Sequence, residues 1–169
     1  KLNKKPTPSP MQEAIEFNAI VDEQLQSIVD ELECDRVWIA QFHNGGHFYP
    51  TGKSIQKFSM FYEKVSMDGQ SIQQTFQNIP VSFFPKALSQ IYKHGELSIK
   101  SYNESEETYG LDVISKQYGT ESFYMVGLYS LTNHLIGIMA VEFNKENHLA
   151  KEGWIFLRQK IGVIGTLLS

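Results

Sequence analysis

Two apolar segments near the end of the chain, residues 121–131 and 134–144, constrain the fold more than any other feature. Apolar side chains occupy both alternating positions of each segment, which is typical of strands in the middle of a sheet. The polar pair Thr132-Asn133 between them favours a hairpin turn. Residues 122–141 contain no Asp, Glu, Lys or Arg, but the polar residues in their middle argue against a membrane span of about 20 apolar residues.

Amphipathic helices are predicted at both ends, over residues 11–33 and 151–168, because apolar side chains recur there every three or four positions. In both helices they cover more than the stripe of about 100° that packing on one sheet face uses. The excess predicts a homodimer built on these two helices, unless they bury it against each other within one chain. The apolar positions are Ala14, Phe17, Val21, Leu25, Ile28 and Leu32 in the first helix, and Trp154, Leu157, Ile161, Ile164 and Leu168 in the second.

The chain between these helices alternates short strands with helices and irregular segments. The order of elements predicts an α+β domain over residues 11–169, with a mainly antiparallel sheet and the terminal helices on one face. Residues 1–10, rich in Lys and Pro, predict an extended linker. The intervening elements are a central strand at 35–42, a strand nearer the edge at 56–65, an irregular stretch at 66–80, a helix from Pro80 to Gly95, a strand at 97–100 and a short helix at 111–118.

Two parts of the sequence resemble GAF domains. The run Leu32-Glu33-Cys34-Asp35-Arg36-Val37-Trp38-Ile39 is similar to their opening, where a helix leads into the first strand. The paired strands 123–131 and 135–143, with Gly137 after the turn and a helix to the end, are similar to their close. The resemblance implies a central antiparallel sheet with the terminal helices on one face. It also implies a small-molecule cavity on the other face, covered by the segment between the second and fourth strands.

The resemblance carries over the general fold rather than a specialised chemistry. Cyclic-nucleotide-binding members have an Asn-Lys signature between strands, whereas Asn144-Lys145 lies at the end of the last strand. Phytochrome-like members attach a bilin through a cysteine in the cavity segment, and residues 35–169 contain none. Members that reduce methionine sulfoxide need more than one cysteine. No cofactor is therefore assigned, and the identity of the ligand is left open.

Charge and cysteine content narrow the partners. The net charge of −4 and the pI near 5.7 differ from the basic values typical of a dedicated nucleic-acid-binding module. No nucleic-acid partner is therefore expected. The single cysteine, Cys34, excludes an internal disulfide and favours a reducing compartment, so a cytoplasmic location is expected. The Lys/Pro-rich start, residues 1–10, suggests a tether to an upstream domain or membrane segment.

The best local candidate for ligand contact is a Gly-rich segment predicted to form a long loop. It comprises His43, Asn44, Gly45, Gly46 and His47 and runs on to Lys53. Free backbone amides beside the glycines, with the Asn and Lys side chains, suit an anion or polar group. There are two other interpretations of this segment. One is a simple turn with a hydrogen-bonded histidine. The other is a metal held by His43 and His47, but no metal site is predicted. Tyr109 and Tyr124 are further candidates for lining the cavity.

Two isolated polar residues also need an interpretation. Cys34 is expected to be a buried structural thiol, because no base lies near it in the sequence. Glu142 stands among apolar residues, and a carboxylate buried there would need a partner. Exposure near the end of the strand is the favoured interpretation for Glu142.

Together these features predict a non-catalytic sensory or regulatory module of a larger bacterial or viral protein. It would bind a small molecule beside the sheet and signal through its terminal helices. A pure interaction or dimerisation domain without a ligand is the main alternative. A small hydrolase or reductase using His43 or His47 is the third, and an enzyme is not favoured because no catalytic constellation stands out.

Overall fold

The computed structural model describes residues 5–66 and 69–169 as one antiparallel sheet with helices on both faces. The sheet has six strands in the order β3-β2-β1-β6-β5-β4. The helices are α1 (Pro10–Leu32), α2 (Pro85–His94), α3 (Asp112–Tyr118) and α4 (Lys151–Leu168), and the strands are β1 (Arg36–His47), β2 (Ser54–Val65), β3 (Ile79–Pro80), β4 (Glu96–Ile99), β5 (Ser122–Tyr129) and β6 (Leu135–Phe143). The predicted α+β class, antiparallel sheet and β5–β6 hairpin are confirmed.

The terminal helices α1 and α4 cover one face of the sheet, as predicted. Ser9 begins α1 by accepting a hydrogen bond from the Gln12 amide at 3.1 Å, and Glu33 ends it in the left-handed conformation. The buried members of the predicted apolar stripes meet inward-facing side chains of β1, β5 and β6. This helix-side core comprises Val21, Leu25, Ile28, Cys34, Val37, Ile39, Tyr124, Val126, Leu128, Met139, Val141, Phe143, Leu157, Ile161 and Ile164.

The other face of the sheet is covered by α2, α3 and the chain that leads into them. Because side chains alternate along a strand, the residues between those of the first core point here. They form a second apolar core, which also takes side chains from β2 and β4. It comprises Trp38, Ala40, Phe58, Met60, Ile72, Ala87, Ile91, Leu97, Ile99, Leu111, Phe123, Met125, Ile138 and Ala140. The predicted covering of both faces is confirmed.

The Gly-rich segment is strand rather than loop, which corrects the prediction. β1 continues to His47, with Asn44 opposite Gln56 and His47 opposite Ser54 on β2. The pairing slips between Asn44 and His47, where Gly46 has a φ of +105°, a conformation that favours glycine. Pairing with β2 hydrogen-bonds the backbone of a segment whose composition predicted a loop. The connection between β1 and β2 is therefore only residues 48–53.

The helix predicted to open at Pro80 begins instead at Pro85. Pro80 belongs to β3 and lies opposite Lys57 on β2, and a single 3₁₀ turn follows at Val81–Phe83. Phe84 has a non-helical φ of −129°, and Pro85 then takes the first helical position, where a missing N–H has no consequence. The predicted stop is confirmed, because Gly95 ends α2 with a φ of +76°.

Candidate functional site

A small apolar cavity lies between the sheet and the layer formed by α2 and α3. Its volume is about 60 Å³. The volume exceeds the roughly 15 Å³ that one water needs but is well below the ~150 Å³ of a cavity that admits benzene. The sheet supplies Trp38, Phe58, Met60, Phe123, Met125, Ile138 and Glu142, and the covering layer supplies Ile72, Phe76, Phe84, Ala87, Leu88, Leu111, Ile114 and Ser115.

Glu142 is the one charged residue in the wall, and it is buried and fully hydrogen-bonded. Its Oε2 accepts from the indole N–H of Trp38 at 2.8 Å and from Arg36 Nη1 at 3.2 Å. Its Oε1 accepts from the Thr120 hydroxyl at 2.8 Å. Only 5% of Glu142 is exposed, so the expectation that it faces solvent is wrong. The β6 strand is covered up to its last residues, and the carboxylate meets partners from β1.

Arg36 ties the polar end of the cavity to the chain that covers it. Its Nη2 donates to the Gln70 carbonyl at 2.6 Å, and its Nε lies 3.6 Å from Glu63 Oε2. Glu63 in turn accepts from the Ser71 hydroxyl and from the Ile72 amide, the latter at 2.8 Å. The buried guanidinium therefore bridges two carboxylates and holds residues 70–72 over the cavity, with Ile72 placed in its wall.

Tyr102 lies near Ser115 and Glu142 of the cavity wall but is not itself among the residues that line the cavity. The residue packs against the core that surrounds the cavity, and its hydroxyl oxygen is buried. Burial raises the pKa of this phenol well above its ordinary value, the neighbouring Ser115 hydroxyl lowers it, and the negative charges of Glu142 and Asp112 raise it. The oxygen has no hydrogen-bond partner of normal geometry among the described residues.

The predicted segment from His43 to Lys53 lies away from the cavity. His43 Nε2 is 2.8 Å from the Ser59 hydroxyl, and Asn44 Oδ1 accepts from Gln56 Nε2 at 2.7 Å. Both side chains therefore bond to residues of the paired strand β2, so their polar groups are used within the β1–β2 hairpin. Gly45, Gly46, His47 and Lys53 also lie on this hairpin, and none of the six lines the cavity.

The two predicted tyrosines are separated by the sheet. Tyr109 packs against the cavity-side core, in a left-handed backbone conformation, without reaching the cavity wall. Tyr124 lies on the opposite face, where its ring meets Trp154 edge-on at 5.6 Å and its hydroxyl donates to the Asn147 carbonyl. The alternation of side chains along β5 sends Phe123 and Met125 to the cavity and Tyr124 to the terminal helices.

Cys34 is buried, as predicted, and it lies in the helix-side core. Burial raises the pKa of its thiol from the ordinary value of 9.0 to about 12. A thiol with so high a pKa is neutral at physiological pH and a poor nucleophile.

The residues that build the cavity's polar end were not predicted as a site. Glu142 carried the one available signal, a carboxylate inside an apolar strand. Arg36 and Trp38 stand in the run that resembles the opening of GAF domains, and Thr120 stands in a segment without any marked pattern. In residues 5–66 and 69–169 no three metal-ligating side chains come together, so His43 and His47 gain no third ligand there. The helices of the same residues include none that is long and apolar enough to cross a bilayer.

Comparison with known proteins gives a structural likeness without a sequence match. No family profile matches the chain, and no curated protein matches it. Solved structures do. The photoproduct state of a GAF domain from Synechocystis sp. PCC6803 superimposes with a TM-score of 0.68 at 16% identity, over 90% of this chain and 92% of that one.

Two further GAF domains give the same result. A phycocyanobilin-bound GAF domain from a cyanobacterial phytochrome has a TM-score of 0.70 at 14% identity, covering 92% of this chain and 85% of that one. The blue-light-absorbing form of the PixJ GAF domain from Thermosynechococcus elongatus has a TM-score of 0.64 at 15% identity, covering 96% and 86%. The chain therefore has the GAF fold, which confirms the resemblance seen in its sequence.

Proposed function

We propose that this chain is a non-catalytic sensory module that binds a small molecule in the cavity and signals through its terminal helices. The observation that carries the proposal is the pairing of an apolar cavity with a buried polar cluster at its end. Ligand sites combine mostly apolar walls with a few placed polar groups, which is the composition seen here. The structural likeness to a far-red cyanobacteriochrome photoreceptor and to a blue-light-absorbing GAF domain supports the same assignment. The module would be the cytoplasmic part of a larger bacterial or viral protein.

The polar cluster supplies a route from the cavity to the helix side. Glu142 lines the cavity, and its backbone carbonyl accepts from the Asp35 amide at 2.9 Å. Asp35 Oδ2 accepts from the Asn144 amide at 2.7 Å. Asp35 and Arg36 follow the end of α1 after Glu33 and Cys34. A ligand that displaces Glu142 would therefore move the junction between α1 and the sheet.

Self-association through the terminal helices is part of the proposal. Several apolar side chains on α1 and α4 are exposed, with Met11 at 71% and Ile15 at 62% on α1. On α4 the exposed pair is Ile155 and Val163. A second copy of the chain would cover them, and a symmetric dimer is the commonest closed assembly.

A covalently attached bilin is not part of the proposal. Cys34, the single cysteine, lies in the helix-side core across the sheet from the cavity. The volume of about 60 Å³ is also well below the ~300 Å³ at which drug-sized ligand pockets begin. The proposed ligand is correspondingly small.

An interaction domain without a ligand is the second candidate. The small volume of the cavity and the exposed apolar residues of α1 and α4 favour it. The two candidates differ in whether the cavity takes up a guest.

Xenon uptake distinguishes them, because apolar cavities bind xenon. A Trp154→Phe variant leaves Trp38, in the cavity wall, as the only tryptophan. We expect xenon to change its fluorescence saturably. Adding Ala87→Val places two methyl groups at the cavity wall and should abolish that change. Ala19→Val, on the exposed side of α1, is the matched control and should preserve it.

If Trp38 gives no saturable response, the ligand-binding proposal fails and the interaction domain stands. If it responds, thermal-shift screening of small metabolites with the same variants identifies the chemical class of the natural ligand.

A further inference from the structure

We infer that the β1–β2 turn, residues 48–53, is the contact site of this protein for an anionic lipid bilayer. Phe48 and Tyr49 would enter the lipid, and Lys53 would meet the headgroups. The turn lies outside the cavity, so the inference is independent of the proposed ligand. Four observations carry it: the projection of the turn, its exposed aromatic side chains, the positive charge around it, and the character of the neighbouring turn.

The β1–β2 hairpin extends past the strands beside it. In the described part of the chain, β1 pairs with β6 as far as Gln41, whereas its pairing with β2 continues to His47, opposite Ser54. The short strand β3 meets β2 at residues 57–58. From Asn44 onward the hairpin is therefore a ribbon of two strands, and at about 3.3 Å per residue it carries the turn roughly 13 Å further.

The end of this ribbon is an ordered turn that holds two aromatic side chains in solvent. The Phe48 amide donates to the Lys53 carbonyl, and the Gly52 amide donates to the Phe48 carbonyl, both at 2.8 Å. Tyr49 is 98% exposed and Phe48 is 56% exposed. Transfer of such rings from water into an apolar phase is favourable, and folding leaves most of that gain unused.

The charge around the turn is opposite in sign to that of the whole chain. Residues 37–62 contain no Asp or Glu, although the net charge of the chain is −4. Lys53 lies in the turn, and the stem of Lys57 lies over Gly45, where an added methyl group would collide with it. Gly45 is two positions nearer the turn than His43, the register partner of Lys57. Lys57 therefore leans towards the turn, and lysines close to an anionic leaflet are attracted to it.

The neighbouring turn of the sheet has a similar character. β1 and β6 are adjacent and antiparallel, so the β5–β6 turn lies at the same end of the sheet as the β1–β2 turn. Residues 130–134 contain no Asp, Glu, Lys or Arg, and Leu131 among them is exposed. This end of the sheet therefore presents apolar side chains from two turns, with no carboxylate in either.

A bilayer fits this surface better than a protein or a nucleic acid does. A stable protein interface takes about 800 Å² from each partner, which calls for a face rather than the end of a two-stranded ribbon. Single-stranded nucleic acid is bound in grooves lined by several cations, whereas this turn projects and contains one lysine. A bilayer accepts a projecting turn, because aromatic rings settle at the headgroup level and lysines extend to the phosphate groups.

Sedimentation of the protein with lipid vesicles tests the inference. We expect binding to vesicles of phosphatidylglycerol and phosphatidylcholine in equal parts, and binding about tenfold weaker to phosphatidylcholine alone. Tyr49→Ser should weaken binding to the mixed vesicles about tenfold, and Lys53→Gln about fivefold. Both side chains are exposed, so these variants should fold as the wild type does.

Val113→Ser and Lys116→Gln are the matched controls for these two variants. They remove an exposed apolar side chain and an exposed lysine from α3, which leads into the start of β5 at the opposite end of the sheet. Each should leave the affinity within about twofold of the wild type, because neither side chain would reach the bilayer.

A fluorescent label on the turn reports insertion without changing an aromatic residue or a lysine. An environment-sensitive fluorophore is attached at Thr51→Cys in the turn, and at Asn144→Cys beyond the end of β6 as the control. The native Cys34 is buried and its thiol is neutral, so it reacts poorly with the label. We expect mixed vesicles to shift the emission of the label on the turn to the blue and to leave that of the control unchanged.

Four results would overturn the inference: no binding of the wild type to the mixed vesicles, equal binding to phosphatidylcholine alone, unchanged affinity in both turn variants, or unchanged emission of the label on the turn. Binding of an oligonucleotide in preference to vesicles would assign the turn to nucleic acid instead and would overturn it as well. Xenon uptake by the cavity does not depend on the turn, so the proposed function is tested separately.

Discussion

Trp38 and Glu142 are joined by a hydrogen bond of 2.8 Å from the indole N–H to Oε2, on the cavity face of the sheet. The two residues are not directly opposite in the register, where Trp38 faces Ala140 and Glu142 faces Arg36. The bond therefore runs diagonally between β1 and β6. It places a hydrogen-bonded carboxylate at the end of an otherwise apolar cavity.

Replacing Glu142 with Gln should destabilise the protein by about 3 kcal/mol, because breaking a buried ion pair leaves Arg36 poorly compensated. Urea unfolding measures the change. Glu96→Gln is the control, since Glu96 pairs with Arg158 at the surface and its removal should change stability by less than about 1 kcal/mol. Equal effects of the two substitutions would contradict the structural role given to Glu142.

Two glycines of α4 should respond to alanine with opposite signs. A Cβ at Gly165 would lie 2.6 Å from the Tyr129 carbonyl oxygen, whereas one at Gly162 meets nothing within 4 Å. Gly162→Ala should therefore stabilise the protein by about 0.5–1 kcal/mol through helix propensity. Gly165→Ala should destabilise it by about 1–3 kcal/mol through overpacking against β5. Thermal unfolding compares the two, and a stabilising Gly165→Ala would show that α4 packs less closely than described.

The Cys34 thiol should make stability fall at alkaline pH. Its pKa is 9.0 ordinarily and about 12 when buried, so the unfolded chain loses the proton first. The stabilisation is complete below pH 9 and is lost as the pH rises from 9 towards 12, reaching a loss of about 1.4 kcal/mol at pH 10. Denaturant unfolding at pH 8 and pH 10 should show a smaller decrease in Cys34→Ala than in the wild type. Parallel decreases would mean that the thiol is accessible to solvent.

The proposed dimer predicts which positions of α4 lie at its interface. Leu157 and Ile164 are fully buried against the sheet, so Glu at either would disrupt the core. Ile155→Glu should instead give a folded monomer, because Ile155 is 44% exposed. Light scattering on the wild type should give twice the chain mass of 19.3 kDa.

Val113→Glu is the control for the dimer, since Val113 is exposed on α3, away from the terminal helices. It should leave the mass doubled. A wild-type monomer at high micromolar concentration would refute the dimer, and a loss of mass in both variants would place the interface elsewhere.

The sequence by itself determined the terminal helices and the central strands of this protein. The spacing of apolar residues in α1 and α4 and the double apolar parity of β5 and β6 depend on neighbours within one element, so these elements can be recognised locally. Gly95 likewise ends its helix through a conformation that its own backbone permits. The pairing of the Gly-rich segment with β2 depends on a distant part of the chain, so local patterns do not reveal it. This is why the prediction ended β1 before His43.

Only the tertiary structure decided where the candidate site lies. Arg36 and Glu142 are 106 positions apart in the chain, and no local pattern records that they pair. Ser115 and Ile138 meet in the cavity wall because the helix α3 is packed on this face of the sheet. A side chain's burial and its partners depend on which elements cover it, which is a property of the folded chain. Glu142 is therefore buried from solvent only because the folded chain covers this end of β6.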